Sequence, residues 1–356
     1  MRLKLVAQQD LTPNDSDPHT YLLTLASETP IDYQPGDWLT VKGRNPKHLV
    51  ESLIERLRLN PSQTIELRRV GDVTVEAALT DHLELTLLDP AILNKLMRQY
   101  NYQAWSSRPE MQAYAQGKDI LDLLDAFPEL CDLGVEFLTL LSPLAPRYYS
   151  IASAPINPKQ VDLLYKAIRY QSHGRERVGV TSSWMQQAEV GQELEVELKP
   201  NAHFKLPESP QTPIVMLAAG TGLAPFIGFM QQRASQAAKD NWLIFGETHQ
   251  ATRFLCREQL LSWQAQELLR LDTAFSRDQQ PKIYVQDVLM AHHQAWLSYW
   301  EQGAITYVCG DKNGLALGVE TAIKSIWQQA YGWDIEASHQ AWLDAKKQGR
   351  IQLDVY

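Results

Sequence analysis

The chain has 356 residues, of which 44% are hydrophobic and 21% charged, and its formal net charge is −9 at pH 7. At roughly 100–200 residues per domain, this length predicts two domains, each able to bury a core of its own. The acidic balance argues against nucleic-acid binding, which needs a basic surface. The three cysteines, Cys131, Cys256 and Cys309, cannot all pair and show no metal-ligand spacing, so we expect neither a disulfide framework nor a metal site.

The N-terminal sequence and the apolar runs predict a soluble, cytoplasmic protein. The opening segment, MRLKLVAQQD, turns polar too soon to be a signal peptide. No apolar run reaches the length of about 18 residues that a membrane-spanning helix needs, so we expect no membrane span.

The first part of the chain changes from strand-like to helical periodicity and back. Arg2–Val6 and Thr20–Leu25 alternate as strands do, whereas leucines at four-residue spacing begin a helical region. Strand patterns return at 147–152, 161–170 and 193–198. We therefore predict a β-domain over 1–208 that carries a helical insertion at about 46–138.

The remainder of the chain alternates apolar strands with helices. The predicted strands are Pro213–Ala218, Trp242–Phe245 and Ile305–Val308, and the predicted helices include Phe226–Ala234 and Leu315–Gln328. This alternation is typical of βαβ units on a parallel sheet. It predicts a second, α/β domain over 209–356.

A buried strand at 214–219 leads directly into a Gly-x-Gly turn and a helix. Gly220 and Gly222 would let the backbone approach a pyrophosphate, and the helix N-terminus offers free N–H donors. Pro225 stands where the third glycine of the dinucleotide pattern would be, and proline suits a first helical turn. Taken alone, the segment fits an ordinary tight turn equally well.

Two further segments carry groups that suit phosphate and ring recognition. Ser276 and Arg277, with Lys282 and Tyr284 downstream, offer what a 2′-phosphate and an adenine require, although a solvated loop is the simpler interpretation. Arg147 and Tyr149 share one face of a strand and suit a ligand with a phosphate and a flat ring. The alternative is that Tyr148 and Tyr149 pack in a core. The loop 179–184 opens another helix with serine and threonine hydroxyls.

Taken together, and in this order and spacing, these segments resemble the reductase module of the diflavin reductases. The resemblance is closest to the flavoprotein subunit of bacterial NADPH-sulfite reductases, and it runs from Tyr33 to Tyr356. It implies a two-domain, ferredoxin-NADP reductase-like fold. In that fold an antiparallel β-barrel with a helical insertion holds FAD, and an α/β domain with a parallel sheet holds NADP(H).

The resemblance also implies roles for particular residues, which fall into an FAD set and an NADP(H) set. In the FAD set, Arg147 meets the pyrophosphate, Tyr149 stacks on the isoalloxazine and Ser150 lies near flavin N5. The other FAD-binding residues implied are Thr86, Tyr148, Leu164, Tyr165, Lys166, Tyr170, Gly179, Val180, Thr181, Ser182 and Tyr356, the last covering the flavin face that nicotinamide must reach. The NADP(H)-binding residues implied are Gly220, Thr221, Gly222, Ser276, Arg277, Lys282, Tyr284 and Gln286.

Three residues are implied to line the hydride path: Ser150, Cys309 and Asp354. Ser150 would donate to N5, Cys309 would pack against the nicotinamide, and Asp354 would stabilise the positive charge that forms as hydride leaves. The protein supplies orientation and polarity, whereas the cofactors carry the reaction. Without the resemblance, a lone cysteine at the end of an apolar strand indicates only a small buried hydrophobe.

The chain departs from the family pattern at a few positions. Ala218-Ala219 replaces Gly-Pro before the Gly-x-Gly turn, Arg253 replaces an acidic residue, and Gly318 replaces an aspartate near NADP. The chain also begins where the family's FMN-binding domain would end, so we expect no FMN in it. Met1, followed directly by a strand, favours a stand-alone reductase over an excised module.

These observations predict an FAD-dependent NADPH oxidoreductase that passes electrons to a separate protein. The acceptor would be a flavodoxin-like FMN protein or a haem protein, with a relation to sulfite reductase. Two alternatives stay open: a catalytically impaired assembly subunit, which Gly318 and Arg253 would favour, and a reductase of a small-molecule acceptor.

Overall fold

The computed structural model describes residues 1–15 and 18–356, and the chain divides into two compact units. Unit 1 comprises Met1–Thr40, Tyr148–Lys166 and Glu189–Tyr356. Unit 2 comprises Val41–Arg147 and Ala167–Ala188. The predicted boundary near residue 208 lies inside unit 1 and stays a prediction.

The strands of the described residues form two large sheets and two hairpins. In chain order they are β1 (Arg2–Asp10), β2 (Thr20–Ala26), β3 (Trp38–Val41), β4 (Thr64–Leu67), β5 (Gly71–Thr74), β6 (Arg147–Ser150), β7 (Gln160–Lys166), β8 (Arg169–Ser172), β9 (Arg175–Val178), β10 (Glu193–Lys199), β11 (Ile214–Ala219), β12 (Asn241–Glu247), β13 (Arg270–Phe275), β14 (Ile305–Gly310) and β15 (Ile351–Val355).

Most helices lie either within the insertion or around the second sheet, and α6 follows the β8–β9 hairpin. They are α1 (Lys47–Arg56), α2 (Val75–Ala77), α3 (Pro90–Tyr100), α4 (Arg108–Ala115), α5 (Ile120–Ala126), α6 (Val180–Gln187), α7 (Ala224–Ser235), α8 (Gln250–Arg253), α9 (Arg257–Ala265), α10 (Val285–Ala291), α11 (His293–Glu301), α12 (Leu317–Tyr331) and α13 (Ile335–Lys347). Short 3₁₀ segments cover Pro128–Leu140 and Gly220–Leu223, and π-helical turns cover Ala78–His82 and Lys312–Ala316.

The first large sheet has six strands in the order β6-β3-β10-β1-β2-β7. Along β1, buried Leu3 and Leu5 alternate with exposed residues, as expected for a strand with one face on a core. An antiparallel bridge between Ile151, just after β6, and Leu163 of β7 joins the two outer strands. The predicted antiparallel barrel is therefore confirmed.

The second large sheet has five parallel strands in the order β13-β12-β11-β14-β15. Its central strand, β11, is buried along nearly its whole length, because helices cover both faces of the sheet. Phe226 and Phe229 of α7 pack on one face, and Val319 and Ile323 of α12 pack on the other. This arrangement confirms the predicted α/β fold.

A layer of tryptophans lies on the α12 side of the parallel sheet. Trp296 stacks on Trp300 with ring centroids 5.4 Å apart, and Trp327 packs 5.3 Å from Trp300. Trp333 continues the layer 6.0 Å from Trp327, and the Arg350 guanidinium lies 3.7 Å from the centre of the Trp300 ring. The aromatic contacts join α11 to α12. The cation–π contact joins α11 to Arg350, which directly precedes β15.

Unit 2 has a core made mainly of leucines from the insertion helices. Helix α1 buries Leu49 and Leu53, and α3 buries Leu93 and Leu96, at the spacing that places residues on one helix face. The hairpin of β4 and β5 interrupts the helices. Among the described residues, no helix is both long enough and apolar enough to span a membrane.

Four charged side chains of unit 2 form a buried cluster beside the start of α5. Arg177 on β9 pairs with Asp119 and, at 2.5 Å, with Asp122, while Arg175 lies 2.8 Å from Asp119 and also pairs with Asp122. The two aspartates also cap α5, because each accepts the other's backbone N–H. The cluster thereby ties β9 to the insertion helices.

Replacing Arg177 by methionine should destabilise the protein by about 3–5 kcal/mol, because it leaves the buried Asp119 carboxylate poorly paired. Urea unfolding followed by far-ultraviolet circular dichroism measures the change. As a control, Arg169→Met breaks only the exposed pair with Glu176 and should cost less than about 1 kcal/mol. Equal effects of the two substitutions would show that the cluster is not a stabilising element.

Candidate active site

The three residues predicted to line a hydride path come together in unit 1 at the carboxylate of Asp354. Its Oδ2 accepts a hydrogen bond from Ser150 Oγ at 2.6 Å and lies 3.8 Å from Cys309 Sγ. Its Oδ1 accepts from Trp38 Nε1 at 3.0 Å. Asp354 itself is 9% exposed, so these donors replace water around most of the carboxylate.

Strand geometry explains how residues so far apart in the chain meet. Cys309 and Asp354 are paired neighbours in the parallel register of β14 and β15. Ser150 ends β6 and Trp38 begins β3, which are adjacent strands of the barrel sheet. The sequence assigned no role to Trp38, whose indole N–H completes the environment of Asp354.

Cys309 is a neutral thiol in this environment. Burial raises the pKa of the Cys309 thiol well above its usual range, and the neighbouring Asp354 raises it further. A thiolate nucleophile is thus disfavoured, in agreement with a packing role. The Ser150 hydroxyl donates its proton to Asp354, so its predicted donation to flavin N5 would require that bond to break.

If the chain transfers hydride past Asp354, as the resemblance implies, replacing Trp38 by phenylalanine should lower the rate of that transfer about ten-fold, since it removes one hydrogen bond to a charged acceptor. The aromatic ring is kept, and with it the edge contact to Tyr148, whose centroid lies 5.7 Å away. Stopped-flow measurement with NADPH gives the rate. Trp263→Phe, a change in a buried indole outside this cluster, is the control and should leave the rate unaltered; matching losses would contradict the assignment.

The predicted strand–turn–helix stands as expected, with β11 leading through Gly220–Leu223 into α7. A Cβ atom on Gly222 would lie 2.0 Å from the backbone oxygen of Cys309, so only glycine allows this close approach to β14. The Thr221 hydroxyl is hydrogen-bonded to the Tyr356 hydroxyl at 2.9 Å. The phosphate-type loop therefore adjoins the Asp354 cluster.

Tyr356 is held through its backbone while its ring stays largely exposed. Its N–H donates to the Gly310 oxygen at 3.2 Å, and its oxygen accepts from the Lys312 N–H at 3.0 Å. Its hydroxyl is hydrogen-bonded to Thr221, a bond that does not involve the backbone of β15. This geometry is compatible with the predicted movement of the Tyr356 ring.

Unit 1 also contains a cavity of about 500 Å³ at the carboxyl ends of β11, β12 and β13, the usual place for ligands on such a sheet. The predicted residues Gly220, Ser276, Tyr284 and Gln286 line it. The other lining residues are Ala219, Gly246, Glu247, Thr248, Ala274, Val285, Asp311, Gly314 and Leu315. Arg277 and Lys282 are exposed residues of the adjoining 276–284 loop and are not among the residues that line the cavity.

Both departures that raised doubt about nucleotide binding have structural explanations. A Cβ atom on Gly318 would lie 2.8 Å from Gln286 Cδ, so the glycine makes room for a residue of the cavity wall. Arg253 is buried, and its Nε donates to Asp15 Oδ2 at 2.7 Å.

In unit 2, the predicted FAD phosphate loop opens α6. The Gly179 N–H donates to the Ile168 oxygen at 2.9 Å, and Ser182 Oγ accepts from the Ile168 N–H at 3.1 Å. Within the part of the chain that the structure describes, the buried Thr181 hydroxyl has no hydrogen-bond partner. A bound phosphate would supply the missing partner, so these residues fit the diphosphate of FAD.

Arg147 and Thr86, also in unit 2, are joined by a residue that the sequence interpretation overlooked. Glu84 Oε2 accepts from Arg147 Nη2 at 2.9 Å, and Glu84 Oε1 accepts from the Thr86 hydroxyl at 2.6 Å and from its N–H at 2.9 Å. Glu84 is buried and thus fixes the arginine and the threonine in place. Glu84 stands between two buried leucines in the sequence, so nothing in the local pattern indicated that it would bind Arg147 and Thr86.

The remaining predicted FAD residues lie on three strands and at the start of one helix. Leu164 and Tyr165 are buried on β7, followed by half-buried Lys166, and the Tyr149 ring on β6 packs edge-on to Tyr165 at 6.3 Å. Tyr148 is 59% exposed, so it does not pack in a core. Tyr170 lies exposed on β8, and Val180 begins α6. Their contacts with FAD stay predictions.

Comparison with known families identifies the two parts of the chain. The family model for the FAD binding domain matches residues 1–184, and the chain belongs to this family. The family model for the oxidoreductase NAD-binding domain matches residues 216–320, which carry the cavity and most of β11–β14 of the parallel sheet. The chain therefore contains an FAD-binding domain and an NAD(P)-binding domain, and the predicted family and cofactors FAD and NADP(H) are confirmed at that level.

Known relatives narrow the class further. The sulfite reductase (NADPH) flavoprotein alpha-component of Bacillus subtilis is 33% identical over 100% of this chain and 61% of its own length. The corresponding protein of Mannheimia succiniciproducens is 34% identical over 99% of this chain and 60% of its own length. The corresponding protein of Cronobacter sakazakii is 36% identical over 92% of this chain and 55% of its own length. The chain thus spans about three fifths of the length of these relatives.

Proposed function

We propose that this chain accepts hydride from NADPH through bound FAD and passes electrons to a separate acceptor protein. The observation that carries the proposal is the meeting of Ser150, Trp38 and Cys309 at the Asp354 carboxylate. This cluster lies beside the Gly220–Leu223 loop, where Thr221 is hydrogen-bonded to Tyr356. A buried carboxylate surrounded by fixed donors is suited to stabilise positive charge that develops nearby.

When bound, FAD supplies the hydride-accepting centre and the ability to release electrons one at a time. The residues of the chain position the reactants. Asp354 holds negative charge where the oxidised nicotinamide would become positive, and Ser150 and Trp38 keep that carboxylate in one orientation. Cys309, as a neutral thiol, adds volume without adding charge. The Tyr356 ring, whose hydroxyl is hydrogen-bonded to Thr221, would move aside to let the nicotinamide reach the flavin face.

The two phosphate sites would bind different cofactors. Arg147 and the loop 179–182 would hold the FAD diphosphate, and the orphaned Thr181 hydroxyl supports this assignment. Gly220–Gly222 would hold the NADP pyrophosphate, with Ser276, Arg277 and Lys282 around the 2′-phosphate. Charge-assisted hydrogen bonds of this kind are the strong ones.

The acceptor is proposed from the resemblance to known proteins. The resemblance to sulfite reductase flavoprotein components supports a flavodoxin-like FMN protein or a haem protein, linked to sulfite reduction. We also propose a cytoplasmic location, because all three cysteines are free thiols and disulfides persist mainly in oxidising compartments.

Flavin absorbance tests the core of the proposal. The purified chain should be yellow or should become so with added FAD, and anaerobic NADPH should bleach it. Ferricyanide should then restore the colour. A catalytically impaired subunit would bind FAD but would not be bleached by NADPH. A colourless protein that cannot be reconstituted with FAD would overturn the proposal.

The acceptor requires a separate assay. We expect reduced chain to be reoxidised faster by a flavodoxin-type FMN protein than by free FMN at equal concentration, since docking raises the encounter rate. Raising the salt concentration should reduce this advantage. Equal rates with both acceptors would favour a small-molecule acceptor instead.

A further inference from the structure

The nucleotide cavity contains a carboxylate that phosphate binding does not use. The pyrophosphate-type loop, with Gly220, lies at one end of the cavity lining, and Ser276 lies at the other. Between them the end of β12 contributes Gly246, Glu247 and Thr248. An acidic side chain is unexpected here, because both ends of the cavity are assigned to anionic groups.

Glu247 is fixed in this position from several sides. Its Oε2 accepts from the Thr248 N–H at 2.6 Å and from the Thr248 hydroxyl at 3.2 Å. Its backbone oxygen accepts from the Ser276 N–H at 2.8 Å. Its Oε1 points toward the phosphate loop, since a Cβ atom on Gly220 would lie 3.8 Å from it. The side chain is 9% exposed and so is poorly hydrated.

The nearby Arg253 is shared between the Glu247 carboxylate and a second carboxylate, that of Asp15. Arg253 Nη1 lies 3.8 Å from Glu247 Oε1, whereas Arg253 Nε lies 2.7 Å from Asp15 Oδ2. One guanidinium therefore faces two carboxylates, and the shorter contact goes to Asp15. Asp311, the other acidic residue of the cavity lining, instead caps the turn that follows it by accepting the Gly314 N–H.

Glu247 stands between the two sites assigned to phosphates, because β12 lies between β11 and β13. If the pyrophosphate binds the 220–222 loop and the 2′-phosphate binds near Ser276, the ribose must cross the end of β12, where Glu247 stands. A carboxylate at the end of the second strand of such a sheet accepts ribose hydroxyls in NAD-binding proteins. It also repels a phosphate attached to the same ribose.

We propose that Glu247 is a specificity-determining residue that accepts a hydroxyl of the adenosine ribose and weakens the preference for the 2′-phosphate. The inference rests on the proposed function, because it assumes that this cavity binds the adenosine half of NADP(H). If so, the site prefers NADPH over NADH by a smaller factor than the same cavity would without the Glu247 carboxylate.

The test is calorimetric titration of the full chain with two fragments, 2′,5′-ADP and 5′-AMP. In Glu247→Gln, the ratio of the affinity for 2′,5′-ADP to that for 5′-AMP should rise about ten-fold, since one charged hydrogen bond to the ribose is weakened and one repulsion is removed. Glu258→Gln removes the same charge at an exposed site on α9 and should leave the ratio unchanged. A smaller variant, Glu247→Ala, should shift the ratio in the same direction.

The outcomes separate the two proposals. An unchanged ratio in both Glu247 variants, with both fragments still bound, would overturn the specificity role and leave the nucleotide site standing. Failure of the wild-type chain to bind either fragment would overturn the nucleotide site itself. A ten-fold rise in Glu247→Gln and in Glu258→Gln alike would show a general charge effect and would also overturn the specificity role.

Discussion

Replacing Asp354 by asparagine should slow hydride transfer from NADPH about a hundred-fold, the size of effect found when one preorganised electrostatic contact is removed from an active site. The amide keeps the shape of the side chain but loses the charge. It also cannot accept from Ser150 and Trp38 at once, because only one of its two terminal atoms is an acceptor. Both the charge and the fixed orientation of the site are therefore lost.

Stopped-flow reduction by NADPH measures this effect directly. The FAD content and the affinity for NADP⁺ should stay within about two-fold of the wild type, since Asp354 is not assigned to either phosphate site. Asp32→Asn, at an exposed position, controls for the change in net charge. An unchanged rate in Asp354→Asn would remove the residue from the proposed hydride path.

Replacing both Arg277 and Lys282 by alanine should lower kcat/KM for NADPH by roughly a thousand-fold, because each charge-assisted bond to a phosphate contributes about 2 kcal/mol. The value for NADH should change little, since NADH lacks the 2′-phosphate. Steady-state assays with ferricyanide and both nucleotides measure the two values.

The matched control is the pair Lys346→Ala and Lys347→Ala, two exposed cations at the end of α13. This control should leave both nucleotides unaffected and so accounts for the loss of two positive charges. Parallel losses for NADPH and NADH in the Arg277 and Lys282 variant would contradict the assignment of the 2′-phosphate site.

Local patterns predicted those parts of the fold whose signals are contained in short segments. The buried run of β11, its glycine turn and α7 were all visible, because a parallel central strand is apolar on both faces and proline suits the first helical turn. The alternation of buried and exposed residues in β1 was visible for the same kind of reason. Such patterns depend only on neighbouring residues.

The site could not be predicted in this way, because its contacts join distant segments. Ser150 and Asp354 are 204 residues apart, and only the family resemblance grouped them. Trp38 resembles any strand residue, and Glu247 resembles any charge at a strand end. Arg253 is buried against Asp15, which lies 238 residues away in the chain. The pairing of Arg253 with Asp15 could therefore not be recognised before the fold was known.

The tryptophan layer on α11 and α12 determines what an optical experiment on this protein can detect. Trp105 and Trp184 are the tryptophans of unit 2, while the other eight of the ten belong to unit 1. Intrinsic fluorescence during heating therefore reports mainly on unit 1. A variant whose insertion helices have melted could give a nearly normal fluorescence trace, so the stability of unit 2 must be followed by a signal of its own.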